Sequence, residues 1–142
     1  MTATISTLSE ADEHFVLGET LRPLLTNAMG SSIEVFDTTG PADAGPPPHR
    51  HPWEEIYVVV SGELQVTVGD GAPVIIRPGS AVHVPADTVH TYRNVTECHF
   101  LTITSKGQAA EFFAEAATLE MDPPNLPGII RVGNEHGIDI VL

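Results

Sequence analysis

Positive charge is scarce in this chain of 142 residues. Six lysines and arginines stand against 19 aspartates and glutamates, and the formal net charge is −13. Such a surface repels nucleic acid and anionic membrane and disfavours a highly phosphorylated substrate. The cations Arg22, Arg50, Arg77, Arg93, Lys106 and Arg131 are scattered along the sequence. Apolar runs are short, and none approaches the roughly 18 residues of a membrane span. The lone Cys98 excludes an intrachain disulfide. It sits in the apolar run "ECHFLTI", where no local feature lowers its pKa, and it reads as a buried, inert thiol. The opening "MTATISTLSEADEH" has neither the basic start nor the apolar core of a secretory signal, so the expected location is the cytoplasm.

Hydrophobic residues make up 42% of the chain, enough for a packed core, and the expectation is a single domain over residues 1–142. From Ile33 onward the pattern is that of strands. "SIEVFD", "IYVVV", "GELQVTV", "PVII", "SAVHVP", "HTYRNV" and "HFLTITS" alternate or are rich in β-branched residues, with Gly, Pro, Asn and Asp between them. This grammar predicts an all-β, antiparallel sandwich or barrel with its core at about residues 30–105. The stretch Gly40–Pro52 reads as a stiff, extended connection. Beyond it the period changes. "QAAEFFAEAATLEM", Gln108–Met121, has helical spacing, with Phe112, Phe113, Ala116 and Leu119 on one face. The last segment, "IIRVGNEHGIDIVL", suggests a short helix and then a tail. The helical segment, about 107–135, reads as a lid or dimer element on the β core.

"HRHPWEE", His49–Glu55, concentrates metal-binding side chains. In extended chain His49 and His51 face one side, and two adjacent imidazoles suit a first-row transition metal. If the extension continues past Pro52, Trp53, Glu55 and Tyr57 share that face, and parity favours Glu55 over Glu54 as a further ligand. A fourth ligand can come from His83, His90 or His99. His90 stands out because it opens a strand after the turn "PAD". Trp53 and Tyr57 read as core or pocket wall. Tyr92 shares parity with His90 and joins the same pocket, while Arg93 points outward. His83 and His99 read first as ordinary packed or surface histidines, with orienting a ligand imidazole from behind as the alternative.

These residues also form two linked motifs. Glu55 is followed by six residues and Gly62. Gly79, Pro85, Asp87, His90 and Asn94 fall at the spacing Gly-x5-Pro-x-Gly-x2-His-x3-Asn, with Asp87 in place of the turn glycine. The chain therefore resembles a cupin. The gap from Gly45 to the histidines is shorter than in the family pattern. The resemblance covers Ile33 to about Ser105, and the flanks "FVLGETLRPLLTNAMGSSIEVFD" and "SKGQAAEFFAEAA" extend it to small single-domain cupins of the quercetin-dioxygenase-like and polyketide-cyclase-like kinds.

The resemblance implies a cupin jelly-roll barrel with a C-terminal helix. It also implies one divalent transition metal ion (iron, manganese, nickel, cobalt, copper or zinc) held by His49, His51, Glu55 and His90. Glu55 would then also move a proton. The expected function is a metal-dependent dioxygenase acting on a hydroxylated aromatic or enol-type molecule. A non-redox cyclase or isomerase of polyketide-like substrates is the alternative, and a binding module without catalysis is the third. No lysine or arginine falls by parity inside the barrel, which favours a neutral, apolar or aromatic ligand. A homodimer is expected, because a small barrel with open strand edges and an apolar helix gains from pairing.

Overall fold

In the computed structural model, which describes residues 2–142, eleven strands form two antiparallel sheets, and two α-helices stand in sequence between the tenth strand and the eleventh. The strands are β1 (His14–Val16), β2 (Glu19–Leu25), β3 (Glu34–Gly40), β4 (His49–Arg50), β5 (Glu55–Ser61), β6 (Leu64–Val68), β7 (Val74–Ile76), β8 (Ala81–Val84), β9 (His90–Asn94), β10 (Cys98–Thr104) and β11 (Asp139–Ile140). The larger sheet has the order β1-β2-β3-β10-β5-β8, and the smaller β11-β4-β9-β6-β7. Every stretch expected to be a strand is one. The sheets belong to an all-β fold of jelly-roll type.

Period-two patterning builds the core. Along β10, Cys98, Phe100, Thr102 and Thr104 are buried and the residues between them less so. Tyr57 and Val59 on β5, Val84 on β8 and Phe100 on β10 meet Leu64 and Val66 from the other sheet. Burying each such side chain contributes about 1.5–3 kcal/mol. Gly62 closes the β5–β6 hairpin at φ +85°, and a Cβ there would lie 2.2 Å from the Glu97 carbonyl oxygen. Only glycine fits that turn. Asp87 has φ +59°, a left-handed conformation that Asp tolerates. Its N–H donates to the His51 carbonyl at 2.8 Å, which ties the second motif to the first.

The C-terminal segment departs from expectation. The helix expected over 108–121 ends early, as α1 (Ala109–Ala116), and the chain tightens into turns in which Thr118 and Leu119 N–H donate to the Glu115 and Ala116 carbonyls at 3.0 Å. A second helix, α2 (Leu126–Glu135), is started by the Asn125 side chain, which accepts from Gly128 N–H at 3.0 Å. The tail is not free chain. Its "IDI" alternation forms β11, and Ile140 pairs directly with His49. Strands β1 and β2, which carry no motif, were not anticipated either. Both helices cover one end of the sheets, where Phe112, Ile129 and Val132 pack with Val16, Leu21, Phe36 and Trp53. The α1 N-terminus is held by Glu34, which accepts from Ala110 N–H at 3.2 Å. No helix among the described residues is long and apolar enough to cross a membrane.

Candidate metal centre

Four side chains converge where β4 and β9 of the smaller sheet face β5 of the larger one. His49 and His90 are directly paired residues of β4 and β9. His51 lies in the turn after β4, and Glu55 opens β5. Their ligating atoms all lie within 4.8 Å of one another, a set that can hold one metal ion.

The imidazoles are oriented by backbone. His49 Nδ1 lies 2.9 Å from the Pro47 carbonyl, His51 Nδ1 2.9 Å from that of Trp53, and His90 Nδ1 2.8 Å from that of Thr88. A carbonyl oxygen can only accept, so each ring carries its proton on Nδ1 and presents a free lone pair at Nε2. His51 Nε2 and His90 Nε2 lie 3.1 and 2.9 Å from the same atom, Glu55 Oε2. Lone pairs facing a carboxylate oxygen at these distances need a cation between them, a proton or a metal ion. The donor set thus fits a divalent metal.

Electrostatics agree with that fit. Burial pushes the Glu55 carboxyl up, but the hydrogen bonds and charges of His51 and His90 outweigh it and hold the pKa well below the usual carboxylate range. His49 is lowered to about 4, chiefly by burial and then by the His90 charge. Tyr57 donates to Glu55 Oε2 at 3.0 Å. Burial, and then the Glu55 charge, push the phenol well above its usual pKa, so it remains a donor.

Beside the four residues lies a cavity. Tyr57, Tyr92 and Trp53 line it, joined by Leu21 from β2, Phe112 from α1 and Ile129 from α2. No lysine or arginine is in its wall. Both tyrosines and Trp53 lie in the wall of this cavity, and Trp53 reaches it by a route other than strand parity. The chain turns at residues 51–54 instead of continuing as a strand. Trp53 reaches the pocket by stacking on His51, with ring centroids 4.5 Å apart and planes 8° apart.

Glu54 is exposed and pairs with His83 Nε2 at 2.8 Å, outside the cluster. His99 bonds Asp37. Neither histidine touches a ligand imidazole, whose Nδ1 atoms all face backbone carbonyls, so the contacts of both are those of ordinary packed or surface histidines rather than of groups orienting a ligand from behind. Arg93 points outward to Asp43. Cys98 is buried and its thiol pKa is raised, mainly by burial.

Glu19 on β2 is the acidic pocket residue that sequence reasoning missed. Its carboxyl is 3% exposed and lines the cavity. It accepts from Tyr92 O–H and, at 3.2 Å, from Asn94 Nδ2. Burial raises its pKa to about 7 against the opposing effect of those two bonds. The available signal was an acidic residue on the same parity as Leu21 in "ETLRPLL", which lies outside both motifs.

Comparison with known proteins agrees with this architecture. Residues 36–104 match the family described as Cupin domain. An uncharacterized protein of Streptomyces coelicolor, SCO3923, is 38% identical over 80 residues, 56% of this chain and 71% of that protein. The H2HPP isomerase of Bacillus subtilis is 32% identical over 80 residues, again 56% of this chain but 34% of the isomerase, so the match spans about a third of that protein's length. The polyketide cyclase RemF from Streptomyces resistomycificus superposes with a TM-score of 0.63 at 21% identity, over 74% of this chain and 80% of that one. The chain belongs to the cupin superfamily.

Proposed function

We propose that this chain is a metal-dependent enzyme acting on an enol-type or hydroxylated aromatic small molecule. His49, His51, Glu55 and His90 would hold one divalent ion. The observation that carries the reading is the contact between this polar cluster and a cavity whose wall is apolar and aromatic and holds no cation. A ligand that fits both has oxygen atoms at one end and a neutral ring or chain at the other. When bound, the ion would supply Lewis-acid stabilisation of charge developing on those oxygens.

The protein's own groups do the rest. Glu55, held ionised, accepts the substrate's hydroxyl or α-carbon proton. Tyr57 orients that carboxylate. Trp53 and Tyr92 give a flat ligand surfaces to pack against. This is the chemistry of a non-redox isomerase or cyclase, and it is favoured because the matched Bacillus subtilis relative is named an isomerase.

A dioxygenase acting on the same substrate class is the second reading. The three-imidazole, one-carboxylate set supports it, because iron, manganese, nickel, cobalt and copper all accept such ligands. Parallel assays on flavonol and 1,3-diketone panels, with and without oxygen, separate the two. Turnover that persists anaerobically supports the isomerase–cyclase reading. Stoichiometric oxygen uptake supports the dioxygenase. No turnover by metal-reconstituted protein in either condition contradicts both.

A further inference from the structure

We propose that Glu19 is the second proton-transfer group of the pocket, a carboxylic acid that delivers a proton to the bound molecule at a position away from Glu55. The inference rests on the enol-type reading above. Glu19 comes from β2, outside the sequence motifs that supply the other four polar groups. Among the residues lining the cavity, it and Glu55 are the acidic ones.

The surroundings of the two carboxyls differ in the way that paired acid and base require. Glu55 faces imidazoles that favour its ionised form. Glu19 has no cation beside it. The groups facing it are Tyr92 and Asn94 on β9 and, across the cavity, Tyr57 and Glu55 on β5 with His49 and His51. Burial lifts its pKa to about 7, where an acid can both give and regain a proton at neutral pH. The Asn94 side chain is fixed in turn by the Pro41 carbonyl, 3.1 Å from its Nδ2, so the Glu19 carboxyl is held from one side while lining the cavity.

The step balances without an oxidant or reductant. A substrate O–H or C–H bond breaks and its proton passes to the Glu55 carboxylate. The electron pair shifts along the enol system, and the Glu19 O–H bond breaks as a new C–H bond forms at the far carbon. Substrate composition is unchanged. Glu19 is left ionised and Glu55 protonated, and exchange with solvent after product release resets both.

The test compares wild type with Glu19→Gln and Glu55→Gln, each reconstituted with manganese or zinc and checked for metal content. Glutamine keeps an oxygen that accepts from Asn94 Nδ2, and its amide N–H donates to the Tyr92 hydroxyl oxygen, so both contacts survive with the Tyr92 bond reversed. The probe is 1-phenylbutane-1,3-dione, with keto–enol conversion followed by the ultraviolet absorption of the enol and binding by calorimetry. Infrared difference spectra across pH 5–9 report the protonated-carboxyl stretch directly. Glu19→Gln is expected to keep metal and probe binding, to lose a carboxyl band that titrates near pH 7, and to slow conversion about 100-fold or more. An unchanged rate in Glu19→Gln overturns the role of Glu19 alone. A metal-loaded wild type that neither binds nor converts the probe overturns the parent reading, and the role with it. The two failures differ because only the second abolishes probe binding in every variant.

Discussion

Trp53 lies flat on the imidazole of His51, its plane tilted by 8°. Gly107, in the link between β10 and α1, packs directly on the indole, because a Cβ there would stand 2.4 Å from Trp53 Cε3. The indole is therefore in contact both with the Gly107 backbone and with a histidine of the cluster. Gly107→Ala is expected to push the indole against His51. Destabilisation should be about 1–3 kcal/mol, the usual cost of overpacking, with metal affinity falling alongside it. Thermal unfolding and a chelator-competition titration check both. Weakened folding with unchanged affinity would show that the stack does not position His51.

Tyr57 is buried, and its hydroxyl bonds the carboxylate oxygen that both His51 and His90 face. Tyr57→Phe leaves the ring packed against Tyr92 and Phe100 and removes the bond that fixes Glu55. Loss of such a supporting contact to a metal ligand costs about 10–100-fold in affinity. The expected result is a folded protein whose metal dissociates at least about 10-fold more readily. Native-like affinity in the variant would leave the hydroxyl without a part in the site.

The buried carboxyl of Glu19 makes stability depend on pH in a definite direction. Below about pH 4.5, its ordinary value, the group is protonated in both folded and unfolded chains. As pH rises toward 7 the unfolded chain ionises while the folded one keeps its proton, so the contribution of this group to stability falls. At about 1.36 kcal/mol per pH unit, the loss amounts to roughly 3 kcal/mol by pH 7. Glu19→Gln does not titrate. Relative to wild type, the variant should therefore gain stability between pH 4.5 and 8, as measured by urea unfolding at both values. Parallel changes in the two proteins would mean that Glu19 ionises normally.

The catalytic part of Glu55 is tested by Glu55→Gln. The amide keeps an oxygen near His51 and His90 but cannot take up a proton. Much of the metal binding should remain while turnover falls by about 100-fold or more. An unchanged rate would remove Glu55 from the mechanism.

Much of the site was legible because it is written in local spacing. His49, Glu55 and His90 open strands that alternation and turn residues mark out, His51 follows β4 directly, and the left-handed Asp87 turn follows from chemistry that Asp tolerates. What could not be read was long-range. Trp53 was placed on the inner face by counting parity through Pro52, although the chain turns there, and the contact that holds it comes from Gly107, 54 positions later. Glu19 enters through β2, which pairs with β3 and carries no motif. The closing strand β11 depends on pairing with β4, which is only two residues long. A two-residue strand gives no periodicity to detect.

The most direct test of the central claim is elemental analysis by plasma mass spectrometry of the purified wild type beside His90→Ala, both after incubation with divalent metals and gel filtration. His90 is 1% exposed and directly paired with His49, so its loss opens the centre of the cluster. The account predicts about one equivalent of a transition metal in wild type and nearly none in the variant, with the β fold retained by circular dichroism. Equal metal in both proteins, or none in wild type, would contradict it.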